Sequence, residues 1–339
     1  MGLDIGSSSL KLVELSKKGK DIYLENYIFS ENKKVDMSQQ VDSSKKKYLA
    51  ALIDKMWREG GMSGKGKNIV STLPTSSVFS SVINLSNVDK SEIDSTVNSE
   101  AKKIIPASLE EMVLDWKVIK EDKEKKNVKI FLTASPKKLI KKYVDIFKMT
   151  QLSLLSLETE VFSLIRALGI KEESNLMIVE IGTLNTDISI IKDKIPVLNR
   201  SIDTGGYSIT KTISSSLNIS LERAEQFKKD MGVSSVKSSS DDVIPKTIIK
   251  TVNPIIDEVR YMINLFENKG ADKVETVVLT GGSAFLPSLT EYLSKTLDRN
   301  VVVGDPWYNI LTPKDIDPVL SEVGPKLAVA IGAAMREIE

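Results

Sequence analysis

A short turn that contains an acidic residue and a glycine occurs twice in this chain, about half the chain length apart. The first copy is Asp4-Ile5-Gly6-Ser7-Ser8-Ser9, and the second is Glu180-Ile181-Gly182-Thr183-Leu184-Asn185. Apolar residues precede and follow each turn, so each copy predicts a β-hairpin. Glycine lets the backbone turn tightly, and successive amide N–H groups and small hydroxyls then point at an anion. Two copies therefore predict two related lobes that face one nucleotide.

The acidic residue that opens each turn, Asp4 or Glu180, stands at the end of a strand and faces the same phosphates. A carboxylate favours a phosphate only through a bridging cation, and oxygen ligands suit magnesium. We expect Mg²⁺ to be held by Asp4 and Glu180 through water.

A third binding segment is predicted where Gly281, Gly282 and Ser283 follow the apolar strand Thr276–Thr280 and precede an amphipathic helix. Paired glycines at this place let a flat adenine ring or a phosphate lie against bare backbone. An ordinary strand-to-helix turn has the same pattern. The order of the three segments along the chain favours the nucleotide interpretation.

Composition excludes several classes of function. The chain has 47 basic and 46 acidic side chains and a net charge of +1, so no bulk field attracts it to nucleic acid or to an anionic membrane. It has no cysteine and no histidine, which excludes disulfides, thiolate chemistry and histidine ligands. The longest apolar stretch near the C-terminus, Leu327 to Met335, is shorter than the ~20 residues that span a bilayer. We expect a cytoplasmic protein without direct membrane insertion.

In this order the three segments resemble the phosphate-1, phosphate-2 and adenosine motifs of the actin, sugar kinase and DnaK-type chaperone superfamily. The resemblance implies an α/β fold of actin-like (ribonuclease H-like) type, with ATP and Mg²⁺ between two lobes. It also implies that Lys11 contacts phosphate and that Glu225 and Lys228, on one helix face, contact the adenosine. An exposed ion pair is the alternative for Glu225 and Lys228. The nucleotide-binding residues expected are Gly6, Ser7, Ser8, Ser9, Lys11, Gly182, Thr183, Asn185, Gly205, Gly206, Glu225, Lys228, Gly281, Gly282 and Ser283.

The resemblance also suggests a catalytic position. The segment Leu157 to Leu168 is predicted to form a helix that joins the lobes, and Glu160 falls where related ATPases place a residue that orients the attacking water. The alternative is a carboxylate that only favours the helix dipole. Glu180 stands where the superfamily usually has aspartate, so we expect at most a slow ATPase.

Within the superfamily the chain resembles the PilM family of type IV pilus assembly proteins over its whole length. The segments that carry this resemblance are Gly2 to Leu15, Ala101 to Pro106 leading to Leu114 to Val118, Val161 to Leu168, Asp305 to Trp307 and Ala330 to Arg336. The resemblance implies a first lobe over residues 1–175, a second lobe over 176–317 and a C-terminal helix over 318–339 that returns to the first lobe. It further implies an FtsA-type subdomain inserted at about 85–150 as the partner platform.

The function expected is a nucleotide-loaded adaptor, peripheral at the inner membrane, that binds the short cytoplasmic N-terminal peptide of a PilN-like inner-membrane protein. Self-association is left open, and no nucleic-acid partner is expected. One alternative is a small-molecule (sugar-type) kinase, which needs a carboxylate base beyond Asp4, Glu160 and Glu180. Another is an FtsA-like cell-division protein, which would usually carry a C-terminal amphipathic membrane helix. The first strand is shorter than its counterpart at 175–181, which is expected if a few native residues precede Met1.

Overall fold

Two five-stranded sheets and one three-stranded sheet organise the described part of the chain. The computed structural model describes residues 1–31, 37, 41–62, 66–122, 127–233, 243–268, 270 and 272–338. The strands are β1 (Gly2–Ile5), β2 (Ser9–Lys18), β3 (Asp21–Glu31), β4 (Asn68–Leu73), β5 (Phe79–Leu85), β6 (Met112–Asp122), β7 (Asn127–Pro136), β8 (Ser153–Thr159), β9 (Asn175–Ile181), β10 (Thr186–Lys192), β11 (Ile195–Ile202), β12 (Thr276–Thr280) and β13 (Asn300–Val303). The α-helices are α1 (Ser43–Glu59), α2 (Ile93–Ile104), α3 (Lys137–Phe147), α4 (Glu160–Ala167), α5 (Gly206–Leu217), α6 (Leu221–Met231), α7 (Val243–Glu267), α8 (Leu289–Leu297) and α9 (Asp317–Met335).

The two five-stranded sheets have the same topology, as the repeated turn predicts. Their strand orders are β3-β2-β1-β4-β8 and β11-β10-β9-β12-β13. In each sheet an antiparallel hairpin carries the turn, and two further strands are added in parallel. The register is also repeated, because Asp4 pairs with Lys11 in one hairpin and Glu180 pairs with Asp187 in the other. The fold is therefore an α/β structure of two related lobes.

The inserted unit is the three-stranded sheet of order β5-β7-β6, covered by α2. Its core joins Val97 and Ala101 of α2 to Ile130 and Leu132 of β7. The sheet begins before the expected boundary at about 85 and ends with β7. Helix α3, which the sequence places in the insert, instead buries its apolar face in the core of the first lobe. The apolar face of an amphipathic helix decides which lobe it joins, and sequence order alone does not.

The insert contacts both lobes. Strand β5 continues directly from the loop after β4 in the first lobe, and it also approaches β11 of the second lobe. There the side-chain amide of Asn199 donates a hydrogen bond to Ser80 Oγ at 2.8 Å. The second lobe and the insert are therefore joined by a direct contact.

The segment Leu157 to Leu168 is not a continuous helix, so this prediction is wrong in its first part. Leu157 and Thr159 belong to β8 and pair in parallel with Ser71 and Leu73 of β4. The helix begins at Glu160. A short apolar segment suits either a buried strand or a helix, and pairing with β4 decides the outcome.

The C-terminal helix α9 packs at backbone distance against the first lobe. It lies against β1, β2 and α4. A Cβ on Gly332 would stand 1.8 Å from Ser163 O, and a Cβ on Gly2 would stand 2.1 Å from Ala330 O. Both approaches exclude any larger residue. The small residues of this helix therefore bring backbones into direct contact.

Among the described residues, one helical stretch, Lys314–Met335, is long and apolar enough to cross a membrane by length and composition, with mean hydropathy 1.2. It is longer than the apolar run noted in the sequence because α9 begins well before Leu327. In the structure 67% of its apolar window is buried inside the protein. Core helices have the same hydropathy, so this stretch is weak evidence for a membrane span.

Candidate functional site

A cleft of about 1510 Å³ lies between the lobes and extends to the insert. Small-molecule sites usually measure about 300–1,000 Å³, so the cleft has room for a nucleotide and for a further groove. Seventeen of the residues singled out in the sequence line it: Asp4, Gly6, Ser7, Ser8, Ser9, Lys11, Glu160, Glu180, Gly182, Thr183, Asn185, Gly206, Glu225, Lys228, Gly281, Gly282 and Ser283. Gly205 does not line it, because it packs behind the second turn, where a Cβ would stand 2.6 Å from Thr183 O.

The two repeated turns have the same backbone hydrogen bond. The N–H of Gly6 donates to Ser9 O at 3.0 Å, and the N–H of Gly182 donates to Asn185 O at 3.0 Å. Each bond closes a tight hairpin end and leaves the intervening residues at the cleft wall. The repeated sequence therefore produces a repeated local geometry.

The turns also touch each other across the cleft. Ser8 Oγ lies 2.5 Å from Thr183 Oγ1, in a hydrogen bond that joins the first lobe to the second. Small hydroxyls of this kind are donors and acceptors that suit phosphate oxygens equally well. An anion bound between the turns would contact both lobes at once.

Four carboxylates line the part of the cleft that contains the two turns: Asp4, Glu160, Glu180 and Asp187. Lys11 is the cation paired with them, with its Nζ 2.7 Å from Asp4 Oδ2. Burial alone would lower the pKa of Lys11, but Asp4, Glu180 and Glu160 raise it. Burial and the neighbouring Asp187 and Asp4 raise the pKa of Glu180 to about 8, and burial raises the pKa of Asp187 to about 6. The cluster carries more negative charge than one lysine can balance.

Sequence reasoning missed Asp187. It holds the register position in the second hairpin that Lys11 holds in the first, seven residues after the acidic residue of the turn. The signal was available in the repeat, because aligning the two turns places Asp187 on Lys11. The two hairpins thus have the same backbone register, but the side chains at this position carry opposite charges.

The carboxylates fit a hard cation held through water better than one held directly. Over the described ranges, no group of three or more acidic side chains stands close enough to ligate a metal ion directly. Glu180 Oε2 and Asp187 Oδ1 are nevertheless buried without a hydrogen-bond partner. Buried unpaired carboxylate oxygens are costly, and a hydrated cation would satisfy them.

Glu160 begins helix α4 and is oriented by the loop after β4. Its Oε2 accepts a hydrogen bond from the N–H of Thr75 at 2.9 Å. Burial, with the nearby carboxylates Glu180, Asp187 and Asp4, raises its pKa well above the usual value. The side chain lines the cleft together with residues of both turns.

Glu225 and Lys228 form an ion pair that is buried on the side of the lysine, whereas the Glu225 side chain is 38% exposed, so the pair differs from the fully exposed alternative. Their charged groups are 2.7 Å apart, but Lys228 is only 6% exposed and donates hydrogen bonds to Gly206 O and Thr210 Oγ1. Burial would raise the pKa of Glu225, but hydrogen bonds from Lys228 and Thr210 lower it. The pair joins α6 to the start of α5 in one cleft wall.

The two glycines after β12 have different roles. Gly281 has φ +86°, and a Cβ there would stand 2.6 Å from Ile181 O, so it is needed by the fold. A Cβ on Gly282 would meet no atom within 4 Å and would project into the cleft. Helix α8 begins only at Leu289, so bare backbone, and not a helix N-terminus, faces the cleft here.

Phe285 is a second residue that the sequence reasoning missed. It follows the Gly-Gly-Ser turn, lines the cleft and is 51% exposed. An exposed aromatic ring beside bare glycine backbone offers a flat surface for a base. Its position two residues after Ser283 was the available signal.

Comparison with known proteins places this geometry in a family. The family model described as "Type IV pilus assembly protein PilM" matches residues 2–338. The solved PilM-PilN type IV pilus biogenesis complex is similar with a TM-score of 0.85 and 23% identity, over 100% of this chain and 98% of that chain. The ethanolamine utilization protein EutJ of Carboxydothermus hydrogenoformans has a TM-score of 0.56 and 16% identity, over 98% and 88% of the two chains. MreB5 of Spiroplasma citri, solved bound to AMPPNP, has a TM-score of 0.54 and 14% identity, over 99% and 95%.

Curated relatives match a smaller part of the chain. The cell division protein FtsA of Bacillus subtilis (strain 168) is 30% identical over 157 residues, which are 41% of this chain and 36% of that protein. FtsA of Enterococcus faecalis is 26% identical over 148 residues, 39% of this chain and 34% of that protein. The match therefore spans about a third of the length of these relatives. The solved structures confirm the two-lobe actin-like fold, and the family match over nearly the full length means that this chain belongs to the PilM family of type IV pilus assembly proteins.

Proposed function

We propose that this protein is a nucleotide-binding adaptor of a type IV pilus assembly platform, with ATP and Mg²⁺ in the cleft. The observation that carries the proposal is the pair of equivalent turns, closed by equivalent hydrogen bonds, which meet through Ser8 and Thr183 inside the cleft. A ligand with several phosphates is the chemistry that two facing turns of this kind suit. Its binding would set the distance between the lobes.

The nucleotide would lie with its phosphates between the two turns and beside Lys11. Bound Mg²⁺ would supply positive charge to the carboxylates, with Asp4 and Glu180 holding its water ligands. The wall formed by Glu225 and Lys228, together with the bare backbone at Gly282, would hold the adenosine. Gly205 supports the second turn from behind and is not proposed as a direct contact.

Hydrolysis, where it occurs, would be slow. Phosphoryl transfer depends on positioning and on charge stabilisation. Glu160 is held by the N–H of Thr75, and Glu180 stands where the superfamily usually has aspartate, so an extra methylene separates its carboxylate from the water ligands of the metal. We therefore propose that the nucleotide acts mainly as a structural ligand.

The partner would bind in the part of the cleft that reaches the insert. This groove is lined by residues of the loop after β4, of the start of β5, of the segment after α2 and of the start of β6, namely Val78, Phe79, Ile105, Pro106, Ala107 and Met112. Grooves between subdomains with apolar walls suit short extended peptides. We propose that the cytoplasmic N-terminal peptide of a PilN-like inner-membrane protein binds there, which would hold this cytoplasmic protein at the membrane.

Calorimetric titration of ATP tests the nucleotide part. We expect tighter binding with magnesium than without, and we expect Asp4→Asn to remove most of that difference because one carboxylate charge is lost. Equal affinity of the wild-type protein with and without magnesium would contradict the metal role. Transfer of phosphate to a panel of sugars would support the kinase alternative instead.

Peptide titration tests the adaptor part. Ala107 is exposed and lines the groove, so Ala107→Arg should fill the groove and weaken peptide binding without disturbing the core. Ser108 is exposed but does not line the groove, so Ser108→Arg is the matched control. Equal peptide affinity in both variants would place the peptide elsewhere.

A further inference from the structure

Strand β6 is an edge of the inserted sheet. The order β5-β7-β6 leaves one side of β6 without a partner strand within the residues that the structure describes. On its other side it pairs with β7 from Met112 to Asp122. A long edge strand is a template for pairing with another strand, and proteins usually protect it with charges or bulges.

On the free side of β6, the backbone N–H at the centre of the strand makes its hydrogen bond within the strand itself. The backbone N–H of Trp116 donates to Asp115 Oδ1 at 2.9 Å, whereas Asp115 O accepts a hydrogen bond from Thr133 Oγ1 of β7, and backbone groups of successive residues in a strand point to opposite sides. Trp116 therefore directs its backbone groups to the free edge. A hydrogen bond to the neighbouring side chain is readily exchanged for one to a new strand, so the edge is available for pairing.

The sequence around Trp116 is self-complementary. When two copies of Leu114-Asp115-Trp116-Lys117-Val118 run antiparallel with Trp116 opposite Trp116, Asp115 of each copy faces Lys117 of the other. In the same register Leu114 faces Val118. Opposite charges and apolar pairs directly across strands stabilise a sheet. Both charged residues are exposed, and Val118 is 39% exposed.

The charges also select the register. If one copy slides along the other so that the pairing register changes but the same faces stay together, either Asp115 lies opposite Asp115 or Lys117 lies opposite Lys117. Like charges directly opposite each other are unfavourable. The irregularity between Val118 and Lys120 interrupts the regular strand beyond this segment. Charges that served only to protect the edge from pairing could have either sign. Here Asp115 and Lys117, one residue before and one residue after Trp116, have opposite signs.

We propose that β6 is a self-association strand, and that two copies of this chain join their inserted sheets into one six-stranded antiparallel sheet centred on Trp116. The occupant is a second copy because the edge complements itself in charge. A pair of short strands buries less surface than a standard interface, so the association is weak in free solution and strengthens where copies are held close together. The proposal does not depend on nucleotide or peptide binding.

Cysteine cross-linking tests the register. The chain has no cysteine, so two single variants, Asp115→Cys and Lys117→Cys, introduce one thiol each. In the proposed register these positions face each other as a pair without mutual backbone hydrogen bonds, with Cα atoms about 4.5 Å apart. Within one variant the thiols are diagonal, about 7–8 Å apart and beyond disulfide reach. We expect disulfide dimers in the oxidised mixture and few in either variant alone.

Charge reversal gives an independent measurement. Asp115→Lys and Lys117→Asp each place like charges opposite at two symmetric sites, so each alone should weaken dimerisation in sedimentation by about tenfold relative to the wild-type protein. Mixing the two variants restores opposite charges and should restore dimers. Cross-linking that is absent in the cysteine mixture, or equal in all samples, overturns the proposal. So does a wild-type protein that stays monomeric at high concentration, or single reversals that dimerise like the wild type.

Discussion

Replacing Glu180 by glutamine is expected to reduce the loss of stability that the nucleotide-free protein shows at alkaline pH, while Glu160, whose pKa is also raised, contributes to the loss in both proteins. In the folded protein the Glu180 carboxyl is buried beside Asp187 and Asp4, and its Oε2 has no hydrogen-bond partner. These surroundings raise its pKa from the usual 4.5 to about 8. Glutamine has nearly the same shape and cannot ionise, so it reproduces the protonated side chain.

The magnitude follows from proton linkage. Between about pH 6 and about pH 9 the unfolded carboxylate is already ionised, whereas folded Glu180 still loses its proton. The folded state therefore binds more protons than the unfolded state, and the free energy of unfolding falls as the pH rises. At about 1.4 kcal/mol per pKa unit, this ionisation costs about 2.5 kcal/mol across the window. Contact of Glu180 with cleft water reduces the expected loss to about 1–2 kcal/mol.

Urea unfolding in the presence of a metal chelator, at both ends of this pH window, measures the effect. The wild-type protein should lose about 1–2 kcal/mol more than Glu180→Gln on going to the higher pH. Glu110→Gln is the matched control, because it makes the same chemical change at an exposed position on the insert. If the wild-type protein and Glu180→Gln lose stability in parallel, the reasoning about the buried carboxylate cluster is refuted.

Three further outcomes are expected. Gly282→Val should abolish ATP binding in a protein that still folds, because its side chain enters open cleft space, and calorimetry measures this loss. Gly281→Val should instead lower the melting temperature in thermal unfolding. Ser8→Ala and Thr183→Ala should each lower the unfolding free energy by about 1 kcal/mol, and the double variant should lose no more than one of them, because they share one hydrogen bond. Asn199→Ala should leave ATP affinity intact but reduce the effect of ATP on peptide binding, and equal ATP dependence in both proteins would contradict the coupling through this residue.

The parts of the fold that the sequence predicted are those with a local signal. The two turns could be predicted because glycine, hydroxyls and flanking apolar strands stand within a few residues, and the repeat places both in one cleft. Asp187 could not be identified as easily, since its importance comes from lying opposite Glu180 in the sheet. The position of α3 and the strand at Leu157 depend on tertiary contacts, because each apolar pattern suits more than one partner. Gly205 is absent from the cleft wall because it packs behind the second turn, and this too is a tertiary contact that the local sequence does not reveal.

The hydrogen bond between Asn199 and Ser80 has a thermodynamic consequence. It connects the second lobe to the insert, so a ligand that changes the angle between the lobes also changes the groove beside the insert. Linkage is reciprocal: if nucleotide tightens peptide binding by some factor, the peptide must tighten nucleotide binding by the same factor. A membrane-bound peptide would then retain nucleotide on those copies of the protein that have already reached the membrane, and copies elsewhere would release it sooner.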